Sequence, residues 1–285
     1  MIPVQETSEI AIDQEQSAIY KHPAYRWLSP LLYLMIITVA EIVVAMVNPQ
    51  LGMVIHAALL LVLPVHAALA PDPKEQKLLI CMCLAPLIRV MSLALPIATL
   101  PLVYWFIIVS TPLFPAVYMA IRAAGLKRQD IGLTANHLPV QLLVALTGIP
   151  LGVAEYLILA PEPLIQNLSL GSIWFPALVL LIGTGFLEEV IFRGVLQKVS
   201  ADIMGSFKAL MYVTALFAVL HIGYLSVIDV IFVFMAGAWF ALVAIKTKSI
   251  IGATLAHGLT NITLYLIAPF IFADGISLAA IAAIF

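Results

Sequence analysis

Charged residues are scarce in this chain of 285 residues: they make up 10% of the sequence, whereas 64% of it is hydrophobic. Soluble domains are about half apolar and about a quarter charged. The composition therefore excludes a water-soluble domain and predicts a protein embedded in a lipid bilayer. Basic charge is not in excess either, with 13 Lys and Arg against 15 Asp and Glu. A polybasic nucleic-acid-binding protein is thus excluded.

Cysteine is equally scarce. Cys81 and Cys83 are the two cysteines of the sequence, and they stand as CxC inside an apolar run. Two such residues make neither a structural zinc site nor a secreted disulfide scaffold, so we expect them to be packing residues. The HExxH pattern of helical zinc proteases is missing as well, and so are internal repeats and heptads.

The sequence is instead rich in unbroken apolar runs such as LLYLMIITVAEIVVAMV. Strands of membrane barrels alternate polar and apolar residues, so these runs predict an all-α fold, a polytopic transmembrane helix bundle. Spans of about 20 residues leave room for about eight to ten helices. Apolar runs and their Pro and Gly breakers place nine candidate spans at 31–47, 51–70, 78–98, 101–121, 139–160, 172–191, 209–225, 227–245 and 250–271.

The basic residues predict the topology. Twelve of the 13 fall before span one or after spans two, four, six and eight, which is one side of the membrane, and Arg89 lies inside span three. Lys and Arg accumulate in cytoplasmic loops, so the N-terminus is expected in the cytoplasm. We predict a polar cytoplasmic tail at 1–29 that is not a signal peptide, N-terminal transmembrane helices at 30–138, and a bundle with the candidate catalytic residues at 139–285.

Ionisable residues inside spans cost from about 3 to over 10 kcal/mol at the bilayer centre, so each one is a functional hypothesis. In GFLEEVIFRGVLQ, Glu189 and Arg193 are at i, i+4 and are predicted to form an ion pair. Glu188 points about 100° away and is predicted to face the bundle interior as a general base. The alternative is that both glutamates are hydrated where the span ends.

Two further spans carry polar residues at helical spacing: Phe217 with His221, and His257 with Asn261. A carboxylate and an imidazole can take a proton from water, while a second imidazole and an amide can stabilise an oxyanion. This set fits acyl transfer to water. The same residues leave zinc open as an alternative, with Glu188, His221 and His257 as ligands; we favour a site without a cofactor.

These three motifs, EExxxR, FxxxH and HxxxN on successive spans, resemble those of the CPBP family of CAAX proteases and bacteriocin-processing enzymes. This family is also called Abi, or type II CAAX prenyl endopeptidase and lysostaphin-resistance-protein-A-like, and the match covers about 172–270. The resemblance implies a membrane endopeptidase with a pocket that opens toward the cytoplasm. It also implies roles: Glu188 and His221 activate water, Glu189 and Arg193 support the site, and His257 and Asn261 hold the oxyanion.

The resemblance further implies a membrane-embedded or lipidated protein or peptide substrate, of the prenylated CAAX type or the bacteriocin and leader type. It implies a cell membrane as the location, the plasma membrane in bacteria. Whether the family is metal-dependent is left open. Two other functions remain as alternatives: a transporter that relays protons, and a non-catalytic membrane scaffold or immunity protein.

We predict no catalytic role for the remaining ionisable residues in the spans. Glu41 and Arg89 are expected to pair between spans one and three, and Glu155 and Asp229 to be hydrated at outer span ends. His56 and His66 of span two receive no role.

The predicted spans place Glu188 and His221 at different depths in the membrane. Glu188 lies near the cytoplasmic end of span six, whereas His221 lies about ten ångströms deeper in span seven. Either residues 195–208 form an interfacial helix, or a predicted boundary is wrong.

Overall fold

The computed structural model describes residues 25–94 and 100–272. Within these ranges the regular structure is helical, and nine helices are long and apolar enough to cross a membrane. The predicted all-α polytopic bundle is confirmed. Most of the predicted tail 1–29 lies outside the described residues, while its last five residues belong to the first helix. The helices are α1 (Tyr25–Met46), α2 (Pro49–Leu69), α3 (Pro73–Ala94), α4 (Leu102–Ala124), α5 (Leu138–Leu159), α6 (Leu170–Met204), α7 (Ser206–Tyr224), α8 (Val227–Thr247) and α9 (Ile251–Ile271).

Prolines interrupt two of these helices. A break at Cys83 divides α3 into Pro73–Met82 and Leu84–Ala94, and one at Thr147 divides α5 into Leu138–Leu146 and Gly148–Leu159. Each break is followed after three residues by a proline, Pro86 or Pro150. Proline lacks the amide hydrogen that would bond to the carbonyl four residues earlier, so the helical hydrogen bonding fails at that point.

The longest helix is α6, which runs for 35 residues. At 1.5 Å per residue it measures about 50 Å, more than the roughly 30 Å of a bilayer core. Its middle contains two π-helical segments, Leu180–Phe186 and Val190–Leu196, on either side of Leu187–Glu189. The predicted end of span six at residue 191 is therefore wrong. Arg193 looks like a loop residue in the sequence, but it is 4% exposed in the fold.

This correction removes the mismatch of depth. Glu188 lies 16 residues before the end of α6 at Met204, and His221 lies 15 residues after the start of α7 at Ser206. The two side chains therefore reach similar depths in adjacent antiparallel helices. The interfacial helix considered for 195–208 is not formed, because residues 195–204 continue α6.

The loop between α4 and α5 packs on the turn between α8 and α9. The backbone amide of Ile250 donates to the carbonyl of Gly132 (2.9 Å), and the Thr134 hydroxyl donates to the carbonyl of Lys248 (2.7 Å). The two loops thus lie at the same end of the bundle, as the basic residues predict. The contact also sets the start of α9 six residues before His257.

Close packing of α6 on α9 depends on small residues. A side chain on Gly185 would meet the backbone of Gly258 at 2.8–2.9 Å. Small residues let membrane helices approach to backbone contact. The approach brings the Glu188–Glu189 turn of α6 next to His257 and Asn261 of α9.

Candidate active site

A cavity of about 80 Å³ lies inside the bundle between helices α4 to α9. It is large enough for several water molecules, since one water needs roughly 10–15 Å³ by this measure. Four of the predicted site residues line it: Glu188, His221, His257 and Asn261. The structure thus brings together side chains that are up to 73 positions apart in the sequence. The alternative in which both glutamates are hydrated at a span end does not hold, because Glu189 is fully buried.

Behind the cavity, Glu189 joins two of the motifs. The Arg193 Nη1 donates to Glu189 Oε1 at 2.8 Å, which confirms the predicted ion pair. The His257 Nδ1 lies 2.9 Å from the same oxygen. A carboxylate accepts hydrogen bonds, so Nδ1 carries the proton here. This bond orients the imidazole, and His257 Nε2 lies 3.9 Å from Glu188 Oε2.

Phe217 completes this arrangement from α7. The guanidinium carbon of Arg193 lies 4.3 Å from the centre of the Phe217 ring, a cation–π contact. The same ring is 4.8 Å from the His221 ring, centre to centre. Arg193 Nη2 has no hydrogen-bond partner among the described residues, so the ring face supplies its stabilisation. Phe217 therefore links the EExxxR motif to the FxxxH motif, a role that the spacing of Phe217 and His221 alone did not disclose.

His221 lies where the α-helical part of α7 has ended. The α-helix runs from Ser206 to Val219, and a 3-10 turn follows at Ile222–Tyr224. The His221 Nδ1 donates to the Phe217 carbonyl at 2.9 Å. Because a carbonyl only accepts, Nδ1 carries a proton, and in the neutral imidazole Nε2 then keeps its lone pair. The neutral ring thus presents a hydrogen-bond acceptor on a side chain that lines the cavity.

Asn261 is held by a residue that the motifs do not contain. Its Nδ2 donates to the Thr184 hydroxyl at 2.8 Å, and that hydroxyl donates in turn to the Leu180 carbonyl. Thr184 lies in the first π-helical segment of α6, one turn before Glu188, and such segments are frequent at functional sites. One hydrogen of the Asn261 amide remains for a ligand. Threonine in an apolar helix is common, so the sequence alone gave no signal for Thr184.

The hydrated positions predicted for Glu155 and Asp229 are wrong. Glu155 is 8% exposed and lines the cavity, and Asp229 is 0% exposed. Neither oxygen of Asp229 has a hydrogen-bond partner in the described part of the chain. Position near the end of a span indicates depth but not direction, and both side chains point into the bundle. Glu155 is thus a second cavity carboxylate that sequence reasoning missed.

The zinc alternative requires Glu188, His221 and His257 to converge on one ion. Across residues 25–94 and 100–272, no three His, Cys, Asp or Glu side chains are placed so that they could hold a metal ion. The donor set therefore does not fit the alternative in this geometry.

Comparison with known proteins agrees with the motifs. Residues 170–263 match the family model described as type II CAAX prenyl endopeptidase Rce1-like. No curated protein and no solved structure is similar enough to match. The matched segment contains all three motifs, from Glu188 to Asn261, and the resemblance to the CAAX protease family is confirmed for it. The match indicates an intramembrane endopeptidase of the CAAX type in a multi-pass membrane protein.

Proposed function

We propose that this protein hydrolyses a peptide bond in a membrane-embedded or lipidated substrate through a water activated by Glu188 and His221. The observation that carries the proposal is that Glu188, His221, His257 and Asn261 line one cavity inside the helix bundle. The family match supports the reaction class. The position of the cavity among apolar helices of membrane length supports a substrate that reaches the site from the lipid phase of a cell membrane.

The first step is attack by water on the peptide carbonyl. The Glu188 carboxylate takes one proton from the water, and His221 Nε2 accepts a hydrogen bond from the other, so that the oxygen lone pair points to the carbonyl carbon. The C–N bond then breaks as Glu188 returns the proton to the leaving nitrogen. Proton transfer by a positioned group is worth about 10²–10⁴ in rate.

The oxyanion formed in the first step needs donors. Asn261 supplies an amide hydrogen that Thr184 does not use. In our proposal His257 is doubly protonated, with Nδ1 bonded to Glu189 and Nε2 donating to the oxyanion, and the two carboxylates within 3.9 Å balance its charge. Arg193 keeps Glu189 in place and does not reach the cavity lining.

The test uses purified protein in detergent and a panel of quenched fluorescent peptides. One arm carries a prenylated C-terminal CAAX sequence, one the same sequence without the lipid, and one a leader-type peptide. We expect cleavage of at least one lipidated or leader-type peptide. A wild-type protein that cleaves nothing in the panel contradicts the proposal.

Chelation tests the absence of a metal in the mechanism. We expect the cleavage rate to be unchanged after incubation with 1,10-phenanthroline or EDTA and gel filtration. Loss of the rate and its recovery on addition of Zn²⁺ would replace the proposed mechanism with a metal-dependent one.

Substitution of Asn261 tests the oxyanion donor. For Asn261→Ala we expect kcat to fall by about 10²-fold, the usual effect of removing one oxyanion donor, with KM little changed. Thr184→Val leaves the amide without its acceptor and should cost less, about 10-fold, because the amide is misplaced and not lost. The control is Asn167→Ala, an exposed asparagine of the α5–α6 loop. Equal kcat values for Asn261→Ala and this control would remove Asn261 from the mechanism.

A further inference from the structure

A second buried polar cluster lies in α1, α2 and α3, outside the segment that matches the family. The Arg89 Nε donates to Glu41 Oε1 at 2.6 Å, and this pair confirms the expectation from the sequence. The His56 Nε2 lies 2.9 Å from the same oxygen, at an angle that makes no hydrogen bond. Glu41 and His56 are 0% exposed. We call these three residues the Glu41 cluster.

The Glu41 cluster is difficult to explain by stability alone. Buried ion pairs gain little over well-packed apolar residues, because desolvation offsets their attraction. Three ionisable residues among apolar membrane helices are costly and normally mark a function. In α1, α2 and α3 the buried neighbours are otherwise largely apolar. The contacts of the cluster with the rest of the bundle therefore indicate its function.

The contact is the 3-10 turn that follows His221. The Arg89 Nη2 lies 3.5 Å from the point that a Cβ on Gly223 would occupy, so its guanidinium is directly next to this turn. Helix α1, which carries Glu41, also packs against Ile222–Tyr224. Arg89 is near enough to His221 for an electrostatic interaction. The cluster thus lies on one side of the turn and the catalytic cavity on the other.

The turn itself needs external support. Two hydrogen bonds close it, from Tyr224 N to the His221 carbonyl (3.0 Å) and from Leu225 N to the Ile222 carbonyl (2.9 Å). Leu225 ends it with φ of +57°, a left-handed conformation that costs a leucine about 1–2 kcal/mol. Such conformations persist where the surroundings impose them.

We propose that the Glu41 cluster is a positioning device, in which Glu41, with His56 packed against the same carboxylate oxygen, fixes the Arg89 guanidinium against the turn and thereby holds the His221 imidazole in the cavity. The kinetic part of this inference rests on the proposed function, in which His221 binds the attacking water. It extends the site to helices α1–α3, none of which the family match includes. Arg89 acts through the backbone of the turn and does not touch the substrate.

The experiment combines kinetics with hydrogen exchange. Arg89→Met removes the guanidinium, and Glu41→Met/Arg89→Met removes both charges at once, so that no unpaired charge stays buried and folding is preserved. We expect kcat to fall by about 10- to 100-fold with little change in KM, because moving a catalytic side chain by about 1 Å can lower the rate by about 100-fold. The amides of Tyr224 and Leu225 should exchange faster, while those of residues 206–216 keep their protection. Arg89→Lys keeps the charge and should recover part of kcat.

The matched control is Glu75→Met. It breaks a buried contact between α1 and α3, from the Ser29 hydroxyl to Glu75 Oε1 (2.5 Å), but that contact does not reach the turn. We expect it to change neither kcat nor exchange at Tyr224 and Leu225. A folded double variant with wild-type kcat and wild-type exchange in the turn overturns the proposal, as does faster exchange along the whole of α7. If the wild type cleaves no peptide, the proposed function fails, and the exchange arm still decides whether the cluster holds the turn.

Discussion

Glu188→Gln is expected to lower kcat by about three orders of magnitude, within the 10²–10⁴ range of a general base. Glutamine has the same shape and fills the same space on α6, but its amide cannot take a proton from water. KM should change little, because the substitution leaves the cavity walls intact. Steady-state kinetics on the cleaved peptide, with thermal unfolding in detergent as a check on folding, measure the effect. We expect unfolding to be no easier, since a charge has been removed from a membrane helix.

The matched control for this prediction is Glu155→Gln, because Glu155 is the other carboxylate that lines the cavity. Glu188 is assigned as the base since its Oε2 lies 3.9 Å from His257 Nε2, so it shares its site with a proposed oxyanion donor. No comparable contact of Glu155 with His257 or His221 is found among the described residues. If Glu155→Gln abolished cleavage and Glu188→Gln did not, the roles of the two carboxylates would have to be exchanged.

The sequence predicted the bundle and several of its polar contacts because these follow from local periodicity. Apolar runs of membrane length and their prolines located the nine long apolar helices of the described residues. The i, i+4 spacing was sufficient for the pair of Glu189 and Arg193. Glu41 and Arg89 could be paired from composition, since an acid and a base in neighbouring apolar spans have few other partners.

What the sequence could not supply are properties of packing between distant helices. Arg193 reads as a loop residue, and only its position over the Phe217 ring shows why it is stable inside α6. The position of Glu155 near a span end indicates a hydrated side chain. Only the rotation of α5 shows that this side chain points into the bundle. Thr184 has no recognisable motif, and its importance appears only where α6 and α9 meet. The error in the predicted end of span six also produced the apparent mismatch in depth between Glu188 and His221.

The organisation of the site explains why its six predicted catalytic residues divide into two groups. Glu188, His221, His257 and Asn261 line the cavity, whereas Glu189 and Arg193 lie behind it and make no contact with its volume. A single oxygen, Glu189 Oε1, accepts from both Arg193 and His257. We therefore expect removal of Glu189 to affect stability and catalysis by separate routes.

Glu189→Leu is expected to lower the free energy of unfolding by about 3–5 kcal/mol, because it leaves Arg193 buried without its counter-ion. The control is Asp202→Ala, which breaks the other i, i+4 pair of α6, between Lys198 and Asp202 (2.5 Å). That pair is exposed, with side chains 34% and 41% accessible, and its loss should cost about 0.3–0.5 kcal/mol. Equilibrium unfolding in mixed micelles of mild detergent and SDS measures both. Equal effects of the two variants would contradict the burial argument.

The double variant Glu189→Leu/Arg193→Met separates the two routes. Both charges are gone, so most of the lost stability should return, as it does when buried ion pairs are replaced by apolar residues of similar volume. Cleavage should not return, because His257 Nδ1 still lacks the acceptor that orients its ring, and kcat should stay about 10- to 100-fold below wild type. A stable double variant with wild-type kcat would show that Glu189 serves only the charge of Arg193 and that His257 needs no orienting carboxylate.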